Sequence, residues 1–338
     1  MRIALVGIAL ALWLAGLGCG RRAAEQPAGA LRVGLVFDIG GRGDKSFNDS
    51  AYRGLERAQR ELGATFQYIE PAEGADRETG LREYASRGFD LVIGTGFMFS
   101  DDIEKMAREY PSVRFACVDF TVKPDALADA LPANLVGLRF REEEGSFLAG
   151  ALAALVSPTD VIAFVGGMDI PLIHKFEAGY TAGAKHVRPS VQVLSGYAGV
   201  TPNAFKDPAK GKELATSMYG RGAGVVFHAA GTTGFGVFEA ARAAGRLAIG
   251  VDSDQADAAP GFVLTSMVKD VDVAVFETIR AVKENRFEPG VRTFGLRENG
   301  VRLVRDAGNA QWITPTIGAR LDALADSIIA GTIQVPQR

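Results

Sequence analysis

Short apolar runs alternate with amphipathic segments along nearly the whole chain after residue 30. "LRVGLVFDI" reads as a buried strand, and "SFNDSAYRGLERAQRELG" as the helix that follows it. "TFQYIEP", "FDLVIGTG" and "VRFACVDF" are further strands, with "DRETGLREYASRG" and "SDDIEKMAREYP" as the helices between them. The pattern then restarts with the strand "NLVGLRF" and the small-residue helix "EEGSFLAGALAALV". Strands "DVIAFVGGM", "VQVLSGYAG", "AGVVFHAAG" and "LAIGVDSD" come next, separated by the helices "HKFEAGYTAGAKHV", "DPAKGKELATSMYGRG" and "FGVFEAARAAG". The strands are continuously apolar rather than alternating, as sheets covered on both faces require. Strand–helix alternation of this kind implies right-handed crossovers and parallel sheets. The architecture repeats although no residue-level repeat links the halves, so the pattern predicts two similar α/β lobes.

The remainder supplies a strand "GFVLTSMV", a helix "DVDVAVFETIRAVKENR", an expected hairpin "VRTFGLRENGVRLV" and a last helix "ARLDALADSIIAGTI". This is too little for a third domain, so it is expected to complete the first two. The division anticipated is 31–138 plus 256–288 for the N-terminal lobe, and 139–255 plus 289–338 for the C-terminal lobe. Ligands of open parallel sheets sit beyond the carboxyl ends of the strands. A cleft between the lobes is therefore the expected site.

The first residues follow a different logic. "MRIALVGIALALWLAGLGCG" carries one Arg, an apolar run of secretory length and small residues up to Cys19, which reads as a signal peptide over 1–19. The run is short for a membrane span. "RRAAEQPAGA" then reads as a flexible tether over 20–30. Gly16-Leu17-Gly18-Cys19 is similar to a lipoprotein cleavage box, with Gly16 where such boxes usually carry Leu. An ordinary signal peptide cut nearby is the competing expectation.

With 338 residues, two domains are the better prior, and 47% hydrophobic with 23% charged residues describes a globular core-forming protein. A net charge of −3 gives no electrostatic case for a nucleic-acid partner. The one other cysteine, Cys117, lies in a strand-like apolar run, so no disulfide is expected.

Chemically purposeful residues gather at the predicted strand ends: Asp38, "GTGF" (94–97), Asp119-Phe120, "GGM" (166–168), "AAGTTGFG" (229–236) and "VDSDQ" (251–255). Any one of these aspartates is as readily a helix cap or turn residue. Their number on one predicted rim favours a polar binding cleft. Arg42-Gly43-Asp44 is a chance-level adhesion tripeptide, and "GGRGDKS" lacks the spacing of a phosphate loop. His174, His186 and His228 lack metal-helix spacing, and Ser46 has no nucleophile-elbow context. The expectation is a binding protein, not an enzyme, with no metal and no cofactor.

In combination and order, "DKSFNDSAYRGL", "NLVGLRFREEEGSFLAGALAA", "DPAKGKELA" and "AIGVDSDQ…VLTSMVKDVDVAV" resemble the basic membrane protein lipoproteins, which include the purine nucleoside receptors of ABC transporters. The resemblance spans the chain from about Leu31 onward. It implies a type I periplasmic binding protein fold, with two Rossmann-like lobes joined by three crossovers. It further implies that the Asp38 carboxylate holds the ligand while Phe47 stacks on a base, with Asn48 beside them and Phe205 as the opposing ring. Asp252 and Lys269 would grip ribose hydroxyls, Gly231 would offer backbone, and Asp119 would contact the base. Phe47 as a staple packing the helix start is the alternative reading of that residue. Lys269 reads as opening a helix, where a cation is disfavoured without a ligand or carboxylate partner. The implied protein is a monomeric, exported lipoprotein of the cell envelope, anchored through Cys19, that captures a purine nucleoside for an ABC permease. A binding protein for another polar metabolite such as a sugar, and a surface antigen or adhesin with a vestigial cleft, are the alternatives.

Overall fold

The computed structural model describes residues 29–71, 76–122 and 131–338. The expected signal peptide, Cys19 and nearly all of the tether lie outside the described residues. Five strands, β1 (Arg32–Val36), β2 (Thr65–Ile69), β3 (Leu91–Thr95), β4 (Arg114–Val118) and β5 (Leu135–Phe140), build the first sheet with β11 (Gly290–Phe294). Its order is β11-β5-β4-β3-β1-β2, and every pairing is parallel. The second sheet contains β6 (Val161–Met168), β7 (Gln192–Gly199), β8 (Val225–Ala229), β9 (Leu247–Asp252), β10 (Val263–Lys269) and β12 (Val301–Leu303). It runs β12-β10-β9-β8-β6-β7, parallel except at β12. This is an α/β fold of the type I periplasmic binding kind, with one lobe per sheet.

Helices follow from the same pattern. In α1 (Phe47–Leu62), Ala51, Leu55 and Ala58 recur on one buried face. Gly63, at φ 65°, ends it by donating its N–H to Ala58 and Gln59 carbonyls. α2 (Asp76–Ser86) and α3 (Ser100–Glu109) cover the other face of the first sheet with Leu81, Tyr84, Ile103 and Met106. α6 (Pro208–Gly220) and α7 (Gly234–Ala244) do the same for the second sheet. α4 (Glu142–Val156), α5 (Pro171–Val187), α8 (Val271–Lys283) and α9 (Pro315–Ile329) share a core reaching both sheets. Each fully buried Leu, Ile, Val or Phe there contributes about 1.5–3 kcal/mol.

The chain crosses between sheets three times: at Arg141 after β5, at Asp270 after β10, and over 295–300 between β11 and β12. The crossings lie side by side, with Arg141 N donating to Phe294 O and Asp270 N to Gly300 O, both at 2.9 Å. Sheet membership departs from the anticipated division. The N-terminal lobe was to hold 256–288, yet β10 lies in the second sheet and only α8 returns, packing on α1. The C-terminal lobe was to hold 289–338, yet β11 belongs to the first sheet, and β5 extends that sheet past residue 138 to Phe140. The expected hairpin is absent for the same reason. A turn does form, with Asn299 at φ 53°, but its two arms join different sheets. Short apolar runs carry strand propensity and say nothing about which sheet edge is vacant.

Candidate functional site

Between the carboxyl ends of the two sheets lies a cleft with about 650 Å³ of empty space, its open mouth included. Asp38, Phe47, Asn48, Asp119, Phe205, Gly231, Asp252 and Lys269 all line it. Phe97, Leu172, Ile173, Phe176 and Thr232 complete most of the wall.

The unusual residues of "DIGGRGDKSFND" build the first-lobe wall. Asp44, buried, accepts backbone N–H bonds from Ser46, Asn48 and Asp49 at 2.8–3.0 Å and so caps α1. Asp49 in turn accepts from Arg42 Nε, Gly43 N and Lys45 N. The adhesion tripeptide is thereby consumed in the turn: its acid is interior, and Arg42 lies over the Tyr52 ring. Capping fixes Phe47 as the first helical residue, facing the cavity. Asn48 Oδ1 accepts from Asp38 N at 3.1 Å, so this side chain also ties the helix to the end of β1. Gly96, at φ 114°, lets the chain pass Asp38; a Cβ there would stand 2.1 Å from Asp38 Oδ2.

Opposite, "AAGTTGFG" positions Phe205. Thr232 Oγ1 donates to Phe205 O at 3.0 Å and Thr233 Oγ1 to Ala204 O at 2.8 Å. The ring lies on Gly167, where a Cβ would meet its Cε1 at 2.3 Å. The glycine pair near the end of β6 therefore serves ring packing. Asp119 follows β4 and Asp252 ends β9, the corresponding strands of the two sheets, and both hold left-handed backbone, φ 59° and 63°. Such strain in non-glycine residues concentrates at functional sites.

Polar contacts join the lobes near the rim and again deeper in the cleft. Ser46 Oγ donates to Asp252 Oδ2 at 2.6 Å, Ser253 Oγ donates to Ser46 O at 2.9 Å, and Arg53 donates to Ser253 Oγ. Deeper in, Lys269 Nζ donates to Asp119 Oδ2 at 2.8 Å, with Glu142 Oε1 3.1 Å away. Lys269 is the last residue of β10 rather than the first of a helix, and its partners are these carboxylates. Asp252 lines the same cavity as Lys269, with its Oδ2 accepting from Ser46 Oγ.

Charge is unevenly matched here. Burial pushes Asp38 up to about 7, the Ile39 N–H opposing and Asp119 adding to the rise. Burial likewise pushes Asp252 to about 6 against the pull of Lys269 and Ser46. Burial disfavours the Lys269 ammonium, yet Asp119, Glu142 and Asp252 together hold its pKa above the usual lysine value. A raised carboxyl in the folded state contributes stability at low pH that is lost as pH climbs from the unfolded value through the folded one. Asp38→Asn is therefore expected to melt higher than wild type at pH 8, the gap closing near about pH 4. Thermal denaturation at both values checks this; an equal gap at both would show that the carboxyl's charge is not the cause.

Ser46, Glu142, Phe97 and Phe176 escaped the sequence reading as site residues. "DKS" and "GTGF" had marked two of them by motif. Phe176 had no signal, being one apolar position among several on α5. Among the described residues no acid, His or Cys cluster could hold a metal, and no helix is long and apolar enough to cross a membrane.

Comparison with known proteins agrees with this architecture. Residues 31–338 match the Bmp family, described as "ABC transporter substrate-binding protein PnrA-like". Basic membrane protein A of Borreliella burgdorferi is 36% identical over 332 residues, covering 96% of this chain and 92% of its own. A lipoprotein of Pyrococcus horikoshii is 36% identical (93% and 82% covered), and the CD4+ T-cell-stimulating antigen of Listeria monocytogenes 34% (90% and 88%). Among solved structures, an ABC transporter solute-binding protein of Aeropyrum pernix superposes with a TM-score of 0.80 at 30% identity, covering 91% of this chain and 94% of its own. The chain belongs to the Bmp family of ABC transporter substrate-binding proteins.

Proposed function

We propose that this protein captures a nucleoside, with a purine base, in the interlobe cavity and presents it to an ABC permease from an extracytoplasmic position, anchored by lipid on Cys19. The observation that carries the reading is the cavity wall: Phe47, Phe97, Phe176 and Phe205 supply aromatic rings, while Asp38, Asp119, Asp252 and Lys269 supply acceptors and one cation. Flat apolar faces suit a base, whose stacking is tolerant of ring identity. Buried acceptors suit hydroxyl and N–H donors and reject analogues that lack them, since unpaired partners would remain. The excess of carboxylates disfavours phosphorylated ligands by charge. Closure about the three crossings would bury the ligand between lobes.

Titration calorimetry of the mature chain with adenosine, guanosine, inosine, cytidine and ribose tests this. Purine nucleosides are expected to bind, and ribose alone not to. Ribose binding without nucleoside binding would favour the sugar alternative, and no heat from any would remove the nucleoside reading. Phe47→Ala is expected to weaken purine binding about tenfold to a hundredfold, the worth of one stacked ring.

A further inference from the structure

Among the described residues Lys269 is the one cation lining a cavity that holds several carboxylates, so what keeps it charged and aimed decides what the cavity can bind. Three acids face it: Asp119 from the end of β4, Glu142 from the start of α4 and Asp252 from the end of β9. The rings of Phe47, Phe140 and Phe176 enclose it at 5.0–5.9 Å from the ammonium. The acids differ in what holds them. Asp119 belongs to the first sheet, across the cleft from β10. Glu142 belongs with Lys269: α4 packs on β10 and α5, and Lys175 of α5 bonds the second Glu142 oxygen and the Phe140 carbonyl. Glu142 is essentially inaccessible, 1% exposed, with each oxygen against a different lysine.

We propose that Glu142 is a positioning residue for Lys269, holding the ammonium in place whether the lobes are open or closed, while Asp119 is the partner gained on closure and exchanged with ligand. A rigid-body opening moves β4 away from β10 and leaves α4, α5 and β10 together. Glu142 then spares the open protein an unpaired buried lysine, a form that would shed its proton. The directions agree: burial opposes ionisation of Glu142, yet Lys269 and Lys175 hold its pKa below the usual glutamate value, whereas burial leaves Asp119 raised despite Lys269. The effect on affinity rests on the nucleoside reading above; the effect on Lys269 does not.

The test uses the mature chain carrying ¹³C-labelled lysine, with the Lys269 resonance identified by its loss in Lys269→Arg. In ligand-free wild type, Lys269 should stay charged to higher pH than the other lysines. Glu142→Gln should lower the pH at which it titrates, Asp119→Asn should change it less, and Glu142→Asp, whose carboxylate sits one carbon further back, should lower it by a smaller but measurable amount. With inosine as probe, Glu142→Gln should weaken binding at least about tenfold. An unchanged Lys269 titration in Glu142→Gln overturns the proposal, even if affinity falls. Should that variant not fold, Glu142→Asp carries the decision, since its shorter side chain must still shift the titration measurably. Wild type that binds no inosine refutes the nucleoside reading and leaves the titration result standing.

Discussion

In a Lys269→Met variant, nucleoside binding at pH 8 is expected to fall by about two to four orders of magnitude, because removing one partner of a buried ionic group costs roughly 3–5 kcal/mol. Methionine keeps the apolar stem, so the loss is of charge. Asp119 and Asp252 would then line the closed cavity, with one oxygen of Glu142 behind it, and no ammonium among them. Unlike a core ion pair in a rigid domain, this one spans two lobes. The penalty therefore falls on closure more than on folding, since opening returns Asp119 and Asp252 to water. Small-angle scattering with saturating inosine should show the variant remaining expanded where wild type contracts. The sign of the pH effect is set by the acids. Asp252, already pushed to about 6, and Asp119, also raised, protonate as pH falls, so binding should partly recover toward pH 5.5. A variant that binds as wild type does, or whose deficit ignores pH, would show that Lys269 does not balance these carboxylates.

Gly150→Ala is expected to be among the most damaging one-carbon additions in the second lobe. Helices α4 and α5 cross so closely that a Cβ on Gly150 would lie 1.9 Å from Tyr180 O, one on Gly183 1.9 Å from Phe147 O, and one on Gly179 2.2 Å from Glu143 O. These are backbone atoms of a neighbouring helix, so no rotamer change relieves the clash and the helices must separate. The cost should sit at the upper end of overpacking, about 3 kcal/mol, which lowers the melting temperature by roughly 4–5 °C in a protein of this size. Gly318→Ala is the matched control, in a helix with nothing within 4 Å of the new methyl, and should be neutral or slightly stabilising. The pair also carries function: α4 begins with Glu142, and α5 presents Ile173 and Phe176 to the cavity. Ligand affinity should therefore fall with stability in Gly150→Ala. Equal melting temperatures for the two variants would refute the close-contact account.

Much of the site was legible because strand ends announce themselves. An aspartate or glycine that breaks an apolar run has few reasons to be there, and in a parallel sheet all such breaks face one side. Asp38, Asp119, Gly231 and Asp252 were found in this way, and the family resemblance added Phe47, Asn48, Phe205 and Lys269. Glu142 was hidden within "REEEGS", where three consecutive glutamates look like ordinary first-turn acids complementing a helix dipole. Only the crossing of the chain at Arg141 turns Glu142 and Glu143 inward, and sets Glu142 between two lysines.

The sequence by itself determined the local elements and the side of each sheet that would carry the chemistry, because periodicity and chain breaks are short-range properties. It did not determine which sheet β10 and β11 would join, or which acid would meet Lys269. Those depend on which edges are left unpaired once ten strands have folded, and on charges brought together from residues 119, 142 and 269. Such long-range pairings are chosen by the free energy of the whole assembly, and no local window of the chain contains it.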